Sequence, residues 1–137
     1  MRLCDESPPG ELLLAIGEFN RGAWFDCHET LEDLWVGEEG EIRNFYQGVL
    51  QVAVALHHWR GGNFKGAVSL MESGTKYLLQ VRPICQRVDV TGLIASVELM
   101  RETLKTLGTA RMAELDPVLI PRLRLVPFPI GKGNGKD

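Results

Sequence analysis

Gly22–Glu32 reads GAWFDCHETLE, and Gly62–Glu72 reads GNFKGAVSLME. At an offset of 40 residues the two stretches share a glycine and, two positions later, an aromatic residue (Trp24, Phe64). A small residue (Cys27, Ala67), a large apolar residue (Leu31, Met71) and a glutamate (Glu32, Glu72) then follow in register. A glycine can take the left-handed backbone that ends one helix and turns the chain sharply into the next. The aromatic anchors the new helix, and the small residue lets its neighbour come close. Two such units predict two related helical hairpins stacked on each other. Two units are too few for a solenoid, so the expected fold is all-α, a compact bundle.

Hydrophobic spacing outside the repeat completes a bundle of about five helices. The first is expected from about Pro8 to Asn20, capped by Ser7, with Leu12, Ile16 and Phe19 on one face. The second runs from about Ala23 to Val36 and is stopped by Gly37. The third, about Glu39 to Arg60, is apolar over most of its circumference, as a central helix should be. The fourth is read from Phe64 to Arg82 and closed by Pro83. The fifth starts after the cap Asp89 and carries Leu93, Val97, Met100, Leu104 and Leu107 in a helical stripe. The paired hairpins resemble tetratricopeptide units in their logic. A single helical domain is therefore expected over 1–120. Residues 121–137 read as an extended, proline-rich tail, packed through Leu123, Leu125 and Phe128, with the last seven residues disordered.

The composition bounds what such a domain can do. Its 137 residues are one domain's worth, with 45% hydrophobic and 24% charged residues, an ordinary globular balance. Fifteen basic and 18 acidic residues leave a net charge of −3, which argues against a general nucleic-acid binder, since that needs a basic face. The longest apolar run, VLQVAVAL at Val49–Leu56, is far short of the roughly 20 residues of a membrane span. Cys4, Cys27 and Cys85 are odd in number, far apart and without a C-x-x-C pair. Reduced thiols in a cytoplasm are the expected reading, with neither nucleic acid nor membrane as partner.

The chemistry-bearing residues fall on the second and third helices. His28 stands where the second hairpin has Val68, so it is expected to face inward. Asn44, Gln47, Gln51 and His58 recur at spacings of three, four and seven and form a polar row on an otherwise apolar helix. If that row faces His28 and Glu32, the two helices share a polar pocket, and three readings stand side by side. One is a structural network, with His28 donating to Glu32 and with Gln51 and His58 satisfied in the same cluster, because buried amides and imidazoles must be hydrogen-bonded. Another is a divalent metal on His28, Glu32 and His58, although HETLE lacks the second histidine of H-E-x-x-H and the order of the di-iron E-x-x-H motif. The last is a small polar ligand without metal.

Glu29 with Glu32 is the candidate acid–base pair, against the plain reading of two solvated carboxylates. His57 is expected to point elsewhere, because adjacent helical residues diverge by about 100°. Cys27 is a packing residue by its place in the repeat. The leading functional reading is a non-enzymatic module that binds a protein partner, or a second copy, through an apolar helical face. The alternative is a hydrolase-like enzyme or ligand-binding protein using His28, Glu29, Glu32, Gln47, Gln51 and His58. No cofactor is expected on the first reading, and a divalent metal belongs to the second.

From Phe19 to Leu79 the chain resembles the family of small bacterial and archaeal proteins catalogued as domain of unknown function 309. Its H-E-x-L-E-x-x-W pattern stands here as His28, Glu29, Leu31, Glu32 and Trp35, and its Q-G-x-x-Q as Gln47, Gly48 and Gln51. The resemblance implies a small all-helical protein and supplies no established activity.

Overall fold

The computed structural model describes residues 2–127. Five helices follow in order: α1 (Gly10–Asn20), α2 (Trp24–Trp35), α3 (Gly40–Arg60), α4 (Phe64–Leu78) and α5 (Val90–Arg111). Each packs against the next in sequence. The all-α expectation holds, with one short addition. A two-residue antiparallel ladder, β1 (Ile84–Cys85) with β2 (Val88–Asp89), joins α4 to α5.

The repeat read from the sequence is a repeat of backbone geometry. Gly22 and Gly62 sit at φ +82° and +81°. The amide of each donates to the carbonyl three residues back, Phe19 at 3.1 Å and Trp59 at 3.0 Å. The next amide reaches five residues back in both copies, Ala23 to Glu18 and Asn63 to His58, each at 2.8 Å. This pair of bonds satisfies the last carbonyls of α1 and α3 and sets the angle at which α2 and α4 leave. Cys27, Ala67, Leu31 and Met71 are fully buried at matching places.

α3 is the axis of the bundle. Ile42, Phe45, Tyr46, Val49, Val52, Ala53 and Leu56 are all fully buried. Its closest neighbour is α4, and glycines make the approach possible. A methyl group on Gly48 would lie 2.7 Å from Leu78 Cγ and 3.1 Å from the Gly74 carbonyl oxygen. One on Gly74 would lie 3.1 Å from the Gly48 carbonyl oxygen. The glycine of the Q-G-x-x-Q motif is thus a backbone contact point.

Several boundaries differ from expectation. α1 opens at Gly10 with Pro9 before it and no side-chain cap, so Ser7 does not cap it. α4 stops at Leu78 and the chain turns at once, so Pro83 lies in the connection to the ladder and does not close the helix. Asp89 does cap α5, its carboxylate accepting from the Gly92 amide at 2.9 Å. α5 breaks at Gly108, at φ +77° and ψ 176°, before its last turn.

The cysteine reading is corrected. Cys4 and Cys85 form a disulfide across a separation of 81 residues, and Cys27 is free and buried. The ladder brings Cys85 to the N-terminal strap, where the Gln86 amide also donates to the Cys4 carbonyl and Arg2 pairs with Glu38 at 3.0 Å. Cysteine count and spacing carried no information about that proximity, so the inference to reduced thiols loses its basis. No helix among the described residues is long and apolar enough to cross a membrane.

Residues 121–126 form a strap that ties the two ends of the bundle together. The Leu123 amide donates to Asn20 Oδ1 at 2.8 Å, and Asn20 Nδ2 returns a bond to the Leu123 carbonyl at 2.9 Å. Leu125 then bridges to Val88, as the Asp89 and Val126 amides donate to Arg124 and Arg87 carbonyls. Leu123 is buried as expected. Phe128 and the last seven residues lie outside the described residues.

Candidate functional site

Asn44 and Gln51 of the polar row on α3 meet α4 and the turn that follows it. The Ser73 hydroxyl donates to Gln51 Oε1, and Asn44 Nδ2 donates to Gln80 Oε1 at 3.1 Å. Gln47 is half-buried on the same helix. Helical projection places these residues in one arc but cannot say which neighbour that arc meets. Gly48 and Gly74 decide it, by bringing α4 against that side of α3. The expected cluster of His28 with Gln47 and Gln51 is therefore not assembled. The expected bond from His28 to Glu32 is not formed: His28 Nδ1 is buried with no hydrogen-bond partner among the described residues. Glu29 and Glu32 lie exposed on α2.

His28 instead opens onto a cleft between the first half of α2 and the last turns of α3. The cleft holds about 150 Å³ and is lined by Trp24, Phe25, His28, Val54, His57 and His58. Phe25 is 53% exposed. Its ring lies between two imidazoles, 5.9 Å from that of His28 and 5.8 Å from that of His57. The expectation that His57 points away is thus corrected. His58, at the end of the polar row, lines the same cleft as His28, and its Nδ1 lies 3.2 Å from Asn63 Nδ2 in the turn to α4.

Neighbouring contacts make the walls rigid. Trp24 Nε1 donates to the Phe19 carbonyl at 3.0 Å, and its ring meets Trp59 edge-on at 6.4 Å between centroids. Arg60 lies 4.3 Å over the Trp24 ring and donates to the Gly22 carbonyl at 2.7 Å. Cation–π contact and hydrogen bond together tie the end of α3 to the first hairpin's turn.

Among the described residues no group of three or more His, Cys, Asp or Glu side chains is placed to hold a metal ion. The proposed trio of His28, Glu32 and His58 is not such a group, as Glu32 does not line the cleft. Cys27 is sealed. Its Sγ lies 3.4 Å from the Ala15 carbonyl, and burial, with a smaller push from Glu18, raises the thiol to about 12. A thiol held protonated is a packing group rather than a nucleophile.

Three residues of this cleft escaped the sequence reading: Phe25, Val54 and His57. One signal was present. In the repeat Phe25 stands where the second hairpin has Lys65, a solvent-exposed position. An aromatic residue there has no structural duty in the hairpin.

Fold and cleft together define a small helical-hairpin protein with an aromatic, imidazole-lined notch. Residues 12–70 match the family model described as Domain of unknown function (DUF309). The chain is similar to an uncharacterised protein, YpuF, of Bacillus subtilis (strain 168), 39% identical over 56 residues that make up 40% of this chain and 32% of that one. It is also similar to an uncharacterised protein of Aquifex aeolicus (strain VF5), 33% identical over 73 residues, 52% of this chain and 22% of that one. The matches thus span a third or less of these relatives' lengths. No solved structure matches the chain.

Proposed function

We propose that the protein is a non-enzymatic binding module whose α2–α3 cleft receives an aromatic side chain of a partner protein, one that carries a single hydrogen-bonding atom. The observation that carries this reading is the buried Nδ1 of His28, unpartnered among the described residues, on a side chain that lines a cleft of aromatic and imidazole rings. A buried polar atom without a partner costs about 1–3 kcal/mol. An incoming hydroxyl or N–H group offsets that cost, and its ring covers the exposed face of Phe25. A space of about 150 Å³ accepts a ring of benzene size. Tyrosine and tryptophan suit such a notch, which is one reason they dominate interface hot spots.

The test uses side-chain analogues on the intact protein, followed by two-dimensional NMR of histidine and aromatic signals. p-Cresol is expected to shift Phe25, His28, Val54, His57 and His58 saturably, and toluene to do so more weakly. Shifts spread over the surface, or none at the cleft, refute the reading. Sedimentation at rising concentration then tells whether the partner is a second copy.

A further inference from the structure

A larger groove than the α2–α3 cleft lies along the strap. It holds about 430 Å³ and is lined by Asn20, Gly22 and Trp24, by Pro117, Val118 and Ile120, and by Arg122 and Arg124. We infer that this groove is a binding site for a small amphipathic anion, a carboxylate with a short apolar body. The carboxylate would be held by Arg122 and Arg124 and the body would lie along Pro117, Val118 and Ile120. The inference does not depend on the α2–α3 cleft.

Strand geometry is the first support. Residues two apart on an extended segment point the same way, so burial of Leu123 against α1 sends both arginines outward together. The strap that carries them is fixed at both flanks, by the reciprocal pair with Asn20 and by the backbone bonds at Asp89 and Val126. Two guanidinium groups are thus presented from a braced backbone.

Charge is the second support. Neither Arg122 nor Arg124 forms an ion pair among the described residues, whereas Arg2, Arg101 and Arg111 each pair with a glutamate. Arg122 makes one hydrogen bond, to the Asn20 carbonyl at 3.3 Å. The acids nearby are engaged otherwise: Asp89 caps Gly92, and Asp116 accepts from the Val118 amide at 3.0 Å. A guanidinium offers planar, forked donors matched to a carboxylate. Two guanidiniums without an ion pair among the described residues thus stand side by side in a chain of net charge −3.

The apolar wall is the third. Val118 is 79% exposed at the lip, next to exposed Pro117 and half-buried Ile120. Polar atoms of the opposite wall are already used: the Gly22 carbonyl by Arg60, the Asn20 side chain by Leu123. Arg122 and Arg124 supply the charged donors of this lining, and Pro117, Val118 and Ile120 its apolar part. The volume lies in the range of small-molecule sites, about 300–1,000 Å³.

Octanoate is the probe, with octylamine and inorganic phosphate as comparisons, each titrated into the intact protein and read by amide and arginine Nε–H NMR signals. Octanoate is expected to shift Arg122, Arg124 and residues 117–120 saturably. Arg124→Gln, at an exposed position whose side chain forms no ion pair among the described residues, is expected to weaken it about tenfold, the worth of one charge-assisted pair. Arg124→Lys should fall between. Equal response to octylamine would leave only an apolar patch and overturn the inference. Phosphate binding as tightly as octanoate would leave an anion site without a recognised body, and overturns it too. So does the absence of any saturable shift in this groove. Signals moving at His28 instead would bear on the cleft and not on this site.

Discussion

Breaking the Cys4–Cys85 bond tests the least foreseen feature of the structure. Closing a loop of 81 residues removes chain entropy from the unfolded state. The loop relation −2.1 − 1.5R ln n gives about 15 cal/mol/K for that separation, or about 4.5 kcal/mol at 25 °C. At about 2.1 cal/mol/K per residue, a chain of 137 residues has an unfolding entropy near 0.3 kcal/mol/K, so Tm should fall by roughly 15 °C. Reduction leaves the native contacts of the strap in place, namely Arg2 on Glu38 and Gln86 on Leu3 and Cys4. The loss should therefore appear mostly as a stabler unfolded ensemble rather than a changed native spectrum.

The assay compares oxidised protein with and without dithiothreitol by circular dichroism melting. The double variant Cys4→Ser/Cys85→Ser is the reduction-insensitive reference, with a Tm matching that of the reduced protein. Thiol counting is the independent check. Without reductant, one thiol should titrate in denaturant, that of Cys27, and none in the native state. Three thiols in denaturant after oxidation, or a shift of less than about 2 °C on reduction, would refute the bridge and the entropy argument together.

Gly48→Ala should destabilise the protein by about 1–3 kcal/mol in chemical denaturation, although alanine is the better helix former by about 1 kcal/mol, because its methyl meets Leu78 at 2.7 Å and the Gly74 carbonyl at 3.1 Å; unchanged or higher stability would show that α4 can move away. Phe25→Lys with His28→Val writes the second hairpin's residues into the first. It should hold or raise Tm while abolishing the p-cresol shifts, and a steep fall in Tm would make His28 a structural residue. Alkali should weaken the fold. Burial raises the Tyr46 hydroxyl from 10 to about 12, against a smaller lowering by its bond to Gln86, and raises Cys27 from 9 to about 12. Both groups keep protons in the folded state that the unfolded chain has lost. Stability is then level below pH 9 and declines as pH rises from 9 towards 12. A denaturation midpoint that holds or climbs over that window would contradict the sign.

What the sequence made legible was whatever repeats or alternates locally. Two glycines 40 residues apart foretold two turns with the same hydrogen bonds, and Asp89 foretold the start of α5, because turn and cap chemistry is read from near neighbours. The β ladder was illegible for the same reason. Strands of two residues have no periodicity, and its turn is made by Gln86 and Arg87 at φ +46° and +67°, with neither glycine nor asparagine to announce it. The disulfide depends on that ladder, so it was hidden with it. The direction of the amide row was hidden differently. Projection put Asn44 and Gln51 on one arc, but whether the arc met α2 or α4 was decided by the Gly48–Gly74 approach, a contact between residues 26 positions apart.

The second hairpin works as an internal control for the first. Both copies keep the glycine turn, the aromatic anchor and the buried small residue, so these features belong to the scaffold. Where the copies differ, the scaffold gives no reason for the difference. Lys65 and Val68 serve the second hairpin as a solvated charge and a packed aliphatic, the cheapest solutions at those positions. Phe25 and His28 serve the first with a half-exposed ring and a buried nitrogen lacking a partner, both of which cost free energy in the isolated fold. A costly choice at a position where the same chain demonstrates the cheap one points to something outside the fold. On the proposed reading, that something covers the Phe25 ring and supplies a hydrogen bond to His28, as an aromatic side chain of a partner would.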